Sequence, residues 1–211
     1  MKKFLVGILT VAAIAFSKES KAQVISASGQ FGWSSPTGTL FIDDATDEKL
    51  SGGGLGVCAD VMYQSEDLLN NKLLVGLGYH SSVLIAVGDD IGSFRFYGLS
   101  NYALKAQYNL LDGPFKPFGS LAMGVGVIST PETTSYNSTT GENDVIIPAL
   151  YGYSFGLRPE FGFEAGGENG AFIMSFGMQV PTSYNIKEFW EEPHTAGAWQ
   201  ISLGYRYKYG L

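Results

Sequence analysis

The sequence predicts an all-β protein, an eight-stranded antiparallel up-and-down transmembrane β-barrel. Three observations carry this: an export signal at the N-terminus, eight segments with apolar residues at every second position, and connections that alternate short and long. Composition agrees. Gly makes up 28 of 211 residues, aromatics 14% and charged residues only 16%, as expected for a surface covered by lipid rather than water. A Gly-rich soluble β-sandwich would share that composition, so the pattern along the chain has to decide.

Lys2 and Lys3 form a positive start, Phe4 to Phe16 is an apolar run of 13 residues, and Ser17 to Gln23 (SKESKAQ) is polar and contains the small residue Ala22. This reads as a secretory signal peptide over residues 1–22, too short for a spanning helix. Ser20 stands at the −3 position where Ala is usual. Residues 23–211 are then the barrel, beginning at Gln23. Cleavage takes four of 13 basic and one of 20 acidic residues, moving the net charge from −7 to −10. So acidic a chain lacks the electrostatic footprint of a nucleic-acid binder. Cys58 is the single cysteine, so no intramolecular disulfide forms, and it reads as a small buried side chain. No later run approaches 18 apolar residues. An exported, apolar chain without a spanning helix meets lipid chiefly as a closed barrel.

The eight segments run over residues 24–34, 52–64, 72–87, 93–109, 116–129, 149–165, 171–182 and 196–209. In the last, Trp199, Ile201, Leu203, Tyr205, Tyr207 and Tyr209 fall on one face, and Gln200, Ser202, Gly204, Arg206 and Lys208 on the other. In the seventh, Phe172, Met174, Phe176, Met178 and Val180 alternate with Ile173, Ser175, Gly177 and Gln179. In the sixth, Tyr153, Phe155, Leu157, Pro159, Phe161 and Phe163 alternate with Ser154, Gly156, Arg158, Glu160, Gly162 and Glu164. A sandwich would put Lys, Glu and Thr on its polar face. Here that face is mostly Gly, Ser and Ala with scattered charges of both signs, which suits a narrow lumen. The aromatic face then meets lipid, with Tyr63, Tyr108, Tyr207 and Tyr209 as an interfacial girdle.

Short connections follow segments two, four and six: Ser65 to Asn71, Leu110 to Phe115 and Gly166 to Gly170. Long ones follow segments one, five and seven: Ser35 to Ser51, Thr130 to Pro148 and Ser183 to Thr195. Gly88 to Gly92 is short where a long one is expected. With both ends on one side, short turns are expected at the periplasm and long loops outside. A sandwich gives no reason for that rhythm.

KPFGSLAMGVGV (Lys116 to Val127) and YSFGLRPEFGFEAG (Tyr153 to Gly166), followed by a Tyr-alternating end, resemble the outer-membrane β-barrel domain family, whose best-known relatives are the OmpX, OmpW and OmpA barrel domains. Gln directly after the cleavage site resembles exported proteins of the Bacteroidetes. The resemblance covers nearly the whole mature chain and implies outer-membrane localisation. It implies outer-membrane lipids as surroundings and the barrel-assembly machinery as a partner during biogenesis. Such barrels often end in an aromatic residue, whereas this chain ends Tyr209-Gly210-Leu211, which leaves Tyr209 to serve from two positions upstream.

Three constellations are candidates for chemistry. His80 and Ser82 are similar in spacing to the His and Ser of outer-membrane lipid A deacylases, where they must face lipid to reach an acyl ester. With Leu73, Val75, Leu77 and Tyr79 facing lipid, His80 and Ser82 are expected to turn inward, and Val83 stands where those enzymes carry Asn. The inward charges Asp60, Arg95, Lys105, Arg158, Glu160, Glu164, Arg206 and Lys208 form a lumen charge network, either lining a pore or plugging it. The plug is favoured because eight strands enclose only enough room for side chains. Arg158 and Glu160 are expected to bond across to partners such as Lys105 or Arg206. Third, Asp43, Asp44, Asp47 and Glu48, and Glu188, Glu191, Glu192 and His194, cluster in the first and last long loops, where they offer oxygen ligands to a divalent cation but lack EF-hand spacing. These read as solvated. Phe189 and Trp190 read as exposed aromatics on the membrane surface or a partner, and Ser129 to Thr140 as a flexible loop.

The resemblance to OmpX-type barrels implies a monomeric, non-enzymatic barrel with a surface-interaction, adhesion or envelope-structural role, and no cofactor or metal. The alternative is passage of small or hydrophobic molecules, as OmpW-like barrels suggest. A lipid A deacylase-like enzyme is the second alternative and requires His80 to face outward. A soluble lipocalin-like barrel is the alternative fold and would put the aromatics inside.

Overall fold

A computed structural model describes residues 23–41, 51–87, 94–130, 133–137, 142–147, 149–184 and 194–210. Ten strands are present among them: β1 (Val24–Thr37), β2 (Ser51–Gln64), β3 (Leu73–Val87), β4 (Phe94–Asn109), β5 (Phe115–Thr130), β6 (Thr133–Asn137), β7 (Glu142–Ile147), β8 (Leu150–Gly166), β9 (Gly170–Tyr184) and β10 (His194–Gly210). Eight close a barrel in the order β1-β10-β9-β8-β5-β4-β3-β2, every neighbour antiparallel. The eight expected segments are these eight strands, with no end shifted by more than three residues. Closure comes from β1 on β10, paired from Val24↔Gly210 to Thr37↔Gly197. No sheet edge is left along the first strand, which a membrane-embedded sheet requires.

The stretch expected to be a flexible loop differs. Within Ser129 to Thr140, Ser129 and Thr130 still belong to β5, and 133–137 pairs with 142–147 as a separate two-stranded sheet. Its Thr, Tyr, Val and Ile residues are good strand formers once a partner strand lies within reach. The connection at Gly88 to Gly92 lies outside the described residues, as does the signal segment 1–22.

Followed round the wall, the ladder from Gln107 runs through Ser120, Glu160, Gly177, Gln200, Ser34, Gly54 and Leu84, and returns to β4 at Tyr97. The return is ten residues displaced, so the shear is 10 for eight strands. With about 3.3 Å rise per residue and about 4.7 Å between strands, the strands tilt by about 41° and the backbone radius is about 8 Å. Side chains from opposite walls meet in such a space.

The ladders are not equally long. Seven of them pair 11 to 16 residues, but β8 and β9 pair only seven, from Glu160↔Gly177 to Gly166↔Ala171. The cause is in the sequence. The Gly166 N–H bonds the Pro114 carbonyl and the Gly167 N–H bonds the Gly170 carbonyl, so odd residues of β8 direct their backbone groups at β9. Pro159, at the end of the ladder, has no N–H to give. On β9 the register with β10 slips between Gln179↔Ala198 and Thr182↔Ala196, which places Pro181 in a bulge.

Candidate functional site

Parity fixes what enters the lumen. Along β4, Tyr97, Leu99, Asn101, Ala103, Lys105, Gln107 and Asn109 are buried, while Phe96, Tyr102, Leu104 and Tyr108 are exposed. Each other strand splits the same way, so the inward side chains form layers along the barrel axis.

The central layer is charged. Lys105 reaches two strands in each direction, donating to Asp60 Oδ2 on β2 at 2.8 Å and to Glu160 Oε1 on β8 at 3.0 Å. Arg158 Nε lies 3.5 Å from Glu160 Oε2, and Arg158 Nη2 donates to Cys58 Sγ at 3.7 Å. Ser28 Oγ adds a bond to Asp60 Oδ2 at 3.3 Å, and His80 Nε2 sits 3.6 Å from Asp60 Oδ1. None of the four charged residues exceeds 4% exposure. Two cations beside two carboxylates balance, which is how charges persist in a narrow interior.

A second cluster lies nearer the short turns. Glu164 pairs with Arg206 Nη1, accepts from Gln107 Nε2 at 2.7 Å, and meets Lys208 Nζ at 3.4 Å. Arg206 Nη2 donates in turn to Gln107 Oε1 at 3.0 Å. Thus Arg206 bonds Glu164, not Arg158 or Glu160. The expected single network is two, because Arg206 lies near the end of β10, close to the register of Glu164 rather than of Glu160. Gln107 belongs to the second cluster and was not singled out from the sequence, although it shares the parity of Lys105. Of the remaining charges, Arg95 pairs with Ala86 in the ladder and its side chain lies outside the described residues.

Toward the long loops the lumen turns apolar. Leu84, Tyr97, Leu99, Ile128 and Tyr184 are buried together with Leu40 and Phe41. The last two come from a 3-10 turn, Thr39–Phe41, that folds back into the mouth. Gly38, with φ at 108°, allows the chain to reverse there. Thr39 and Thr195 hold the turn by exchanged bonds, Thr39 N to Thr195 Oγ1 at 3.1 Å and Thr195 N to Thr39 Oγ1 at 2.9 Å. Phe41 meets Tyr97 edge to face, with ring centroids 5.1 Å apart. A mostly small or charged inner face was expected. The inward parity of Lys105 extends to Tyr97 and Leu99, and that signal marks the apolar layer.

Large lumen side chains lie on glycines of other strands. A Cβ at Gly177 would come 2.5 Å from Arg158 Nη2, and one at Gly156 would come 2.5 Å from Asn101 Oδ1. At Gly56 it would come 2.5 Å from Gln200 Cδ. Glycine there is what lets a long polar side chain cross the lumen.

Outside, the expected aromatics are where lipid would be. Tyr153, Phe155, Phe161, Phe172, Tyr205, Tyr207 and Tyr209 are 45–68% exposed, with Phe163, Phe176 and Trp199 partly covered by neighbours. Phe161, Phe176 and Trp199 form a continuous ring contact on the wall. No protein-family model and no curated protein matches the sequence. Among solved structures the chain is similar to Neisserial surface protein A, with a TM-score of 0.59, 14% identity, and coverage of 90% of this chain and 100% of that one. It is also similar to Ail, the attachment invasion locus protein of Yersinia pestis (TM-score 0.48, 13% identity, 89% and 99% covered). Outer membrane protein W of E. coli gives a TM-score of 0.43 at 14% identity, covering 91% of this chain and 100% of that one.

The fold is that of the eight-stranded outer-membrane barrels. A band of exposed Phe, Leu, Val and Tyr round the whole wall belongs in lipid, so the chain is placed in the outer membrane. The interior of this outer-membrane barrel holds His80 and Ser82 at 2% and 6% exposure. Neither meets an acyl ester in the surrounding lipid. The acidic loop residues Asp43, Asp44, Asp47, Glu48, Glu188, Glu191 and Glu192 lie outside the described residues, as do Phe189 and Trp190 and the side chain of His194. Among the described residues no three His, Cys, Asp or Glu side chains are grouped to hold a metal ion.

Proposed function

We propose that this barrel is a monomeric, non-conducting structural and surface-interaction protein of the outer membrane, acting through its external loops rather than through its lumen. The observation that carries this reading is the filled interior. Two ion-paired clusters and an apolar layer closed by Phe41 succeed one another along the axis, and their side chains are nearly all below 5% exposure. Water or a hydrated solute would have to break the Lys105 pairs or lift Phe41 to pass. Enzymatic chemistry on lipid finds no outward pair at His80 and Ser82.

The test is conductance of the refolded protein in a planar bilayer, with insertion verified by the slower migration of unboiled samples. The expected result is an inserted but silent protein. Steady conductance that changes when Arg158 and Glu160 are neutralised would show that the lumen charges line a pore, and the reading would fall in favour of passage of small molecules.

A further inference from the structure

The two charged clusters differ in their balance. In the central one, two cations meet two carboxylates. At the short-turn end three cations, Arg206, Lys208 and Lys116, gather round the single carboxylate of Glu164. Glu164 Oε1 is taken by Arg206 and Gln107, and Oε2 by Lys208 at 3.4 Å. Lys116 stands opposite Glu164 in the β5/β8 ladder, with the inward parity of Phe118, and close enough to Lys208 for the two charges to repel. Among the described residues no carboxylate lies within ion-pair distance of Lys116, and none but Glu164 within that distance of Arg206 or Lys208. Three positive charges against one negative leave two uncompensated, in a chain whose own net charge is −7.

Arg206 carries a second sign of an absent partner. It is 1% exposed, and its Nε makes no hydrogen bond, although an unsatisfied buried donor of a charged group is costly. The two amines lie nearer to water. The Lys208 side chain is 12% exposed and Lys116 is half-buried. Farther in, the lumen is shut. Phe118 is 3% exposed, and its ring lies over Gly162, where a Cβ would come 2.9 Å from Phe118 Cζ. The cations therefore stand at a closed end and do not lead into a passage.

We propose that the short-turn end of the lumen is a binding site for a phosphate dianion from the periplasm, either free or as the terminal group of a monoester. Charge specifies the class. A phosphate monoester carries about −1.5 to −2 at pH 7 together with three strong acceptor oxygens, which matches two uncompensated positive charges and three donor side chains. A carboxylate would offset only half of that excess. The short turns lie on the periplasmic side of such barrels, so the site opens away from the external loops. It is an addition to the surface role proposed above and does not rest on it.

Isothermal titration of the refolded full barrel in an uncharged maltoside detergent, at neutral pH and fixed ionic strength, tests it with inorganic phosphate and with glycerol 3-phosphate. Saturable binding at one site is expected. Lys116→Gln and Lys208→Gln should each weaken it about tenfold or more, since a hydrogen bond to a charged group contributes about 1.5–3 kcal/mol. Lys116→Arg, which keeps the charge, should largely retain binding. Lys72→Gln removes the same charge from a lysine at the same end that is paired with Asp112, and it should leave the affinity unchanged. Binding of both ligands would assign the terminal phosphate of a monoester, and binding of inorganic phosphate alone the free ion. No saturable binding of either by wild type, or a loss in Lys72→Gln equal to that in Lys116→Gln, overturns the proposal.

Discussion

Lys105 holds two carboxylates at once, at 2.8 and 3.0 Å, from a position 3% exposed. Lys105→Met would leave Asp60 and Glu160 buried without their main cation, and stranding a buried charge costs about 3–5 kcal/mol. Urea unfolding in lipid vesicles, followed by tryptophan fluorescence, should show a loss of that size. Lys208→Ala should cost under about 1 kcal/mol, because the Lys208 side chain is partly exposed and its contact with Glu164 is long at 3.4 Å. Equal losses would mean that the two clusters are not energetically distinct. At this scale the sequence announced which residues turn inward, since parity alone puts Asp60, Lys105, Arg158, Glu160, Glu164 and Arg206 on one side of the wall. It did not announce who pairs with whom. Partners such as Arg206 and Glu164 lie two strands apart round the barrel, and their meeting depends on the stagger of the intervening ladders, which no single strand encodes.

Strands were legible because each keeps its period of two for long enough to cross a membrane. The 39–41 turn was not: three residues, Thr39, Leu40 and Phe41, carry no period, and they read as the start of a loop. Their burial comes from the apolar mouth beneath them. This makes Cys58 useful as an internal reporter, being fully buried beside Arg158 and the only cysteine. A charged, membrane-impermeant thiol reagent is expected to leave Cys58 unmodified in the folded wild type and to modify it in concentrated urea. Phe41→Ala should admit the reagent without unfolding the barrel. If that variant stays unreactive while folded, the 3-10 turn is not what seals the mouth. The shortened ladder was likewise hidden in plain letters. Pro159 shares the parity of the lipid-facing set and is exposed, but the consequence of its missing N–H depends on which neighbour it faces.

For the whole molecule the decisive distinction is between lipid and water outside the wall. Leu104 is 52% exposed near the middle of β4. In lipid, Leu104→Arg should cost about 2–4 kcal/mol, read as a lower urea midpoint in vesicles. A barrel built for water would tolerate or welcome the same change, so an unaltered midpoint would remove the chain from the membrane. The long–short rhythm of connections gave the architecture, and composition supported it. Function was not legible in the same way, because a filled lumen leaves no catalytic signature and the loops carry patterns of charge rather than motifs.

The packing of long polar side chains against glycines of nearby strands has a consequence for how this protein changes over generations. Arg158 rests on Gly177, Asn101 on Gly156 and Gln200 on Gly56. Each couple shares one fixed volume inside a tube that cannot widen without changing its strand number or stagger. A mutation that enlarges one member is tolerated only when its counterpart shrinks. Descendant sequences should therefore drift at these positions in twos, swapping which wall carries the bulk, while the outer face is free to exchange one apolar residue for another singly.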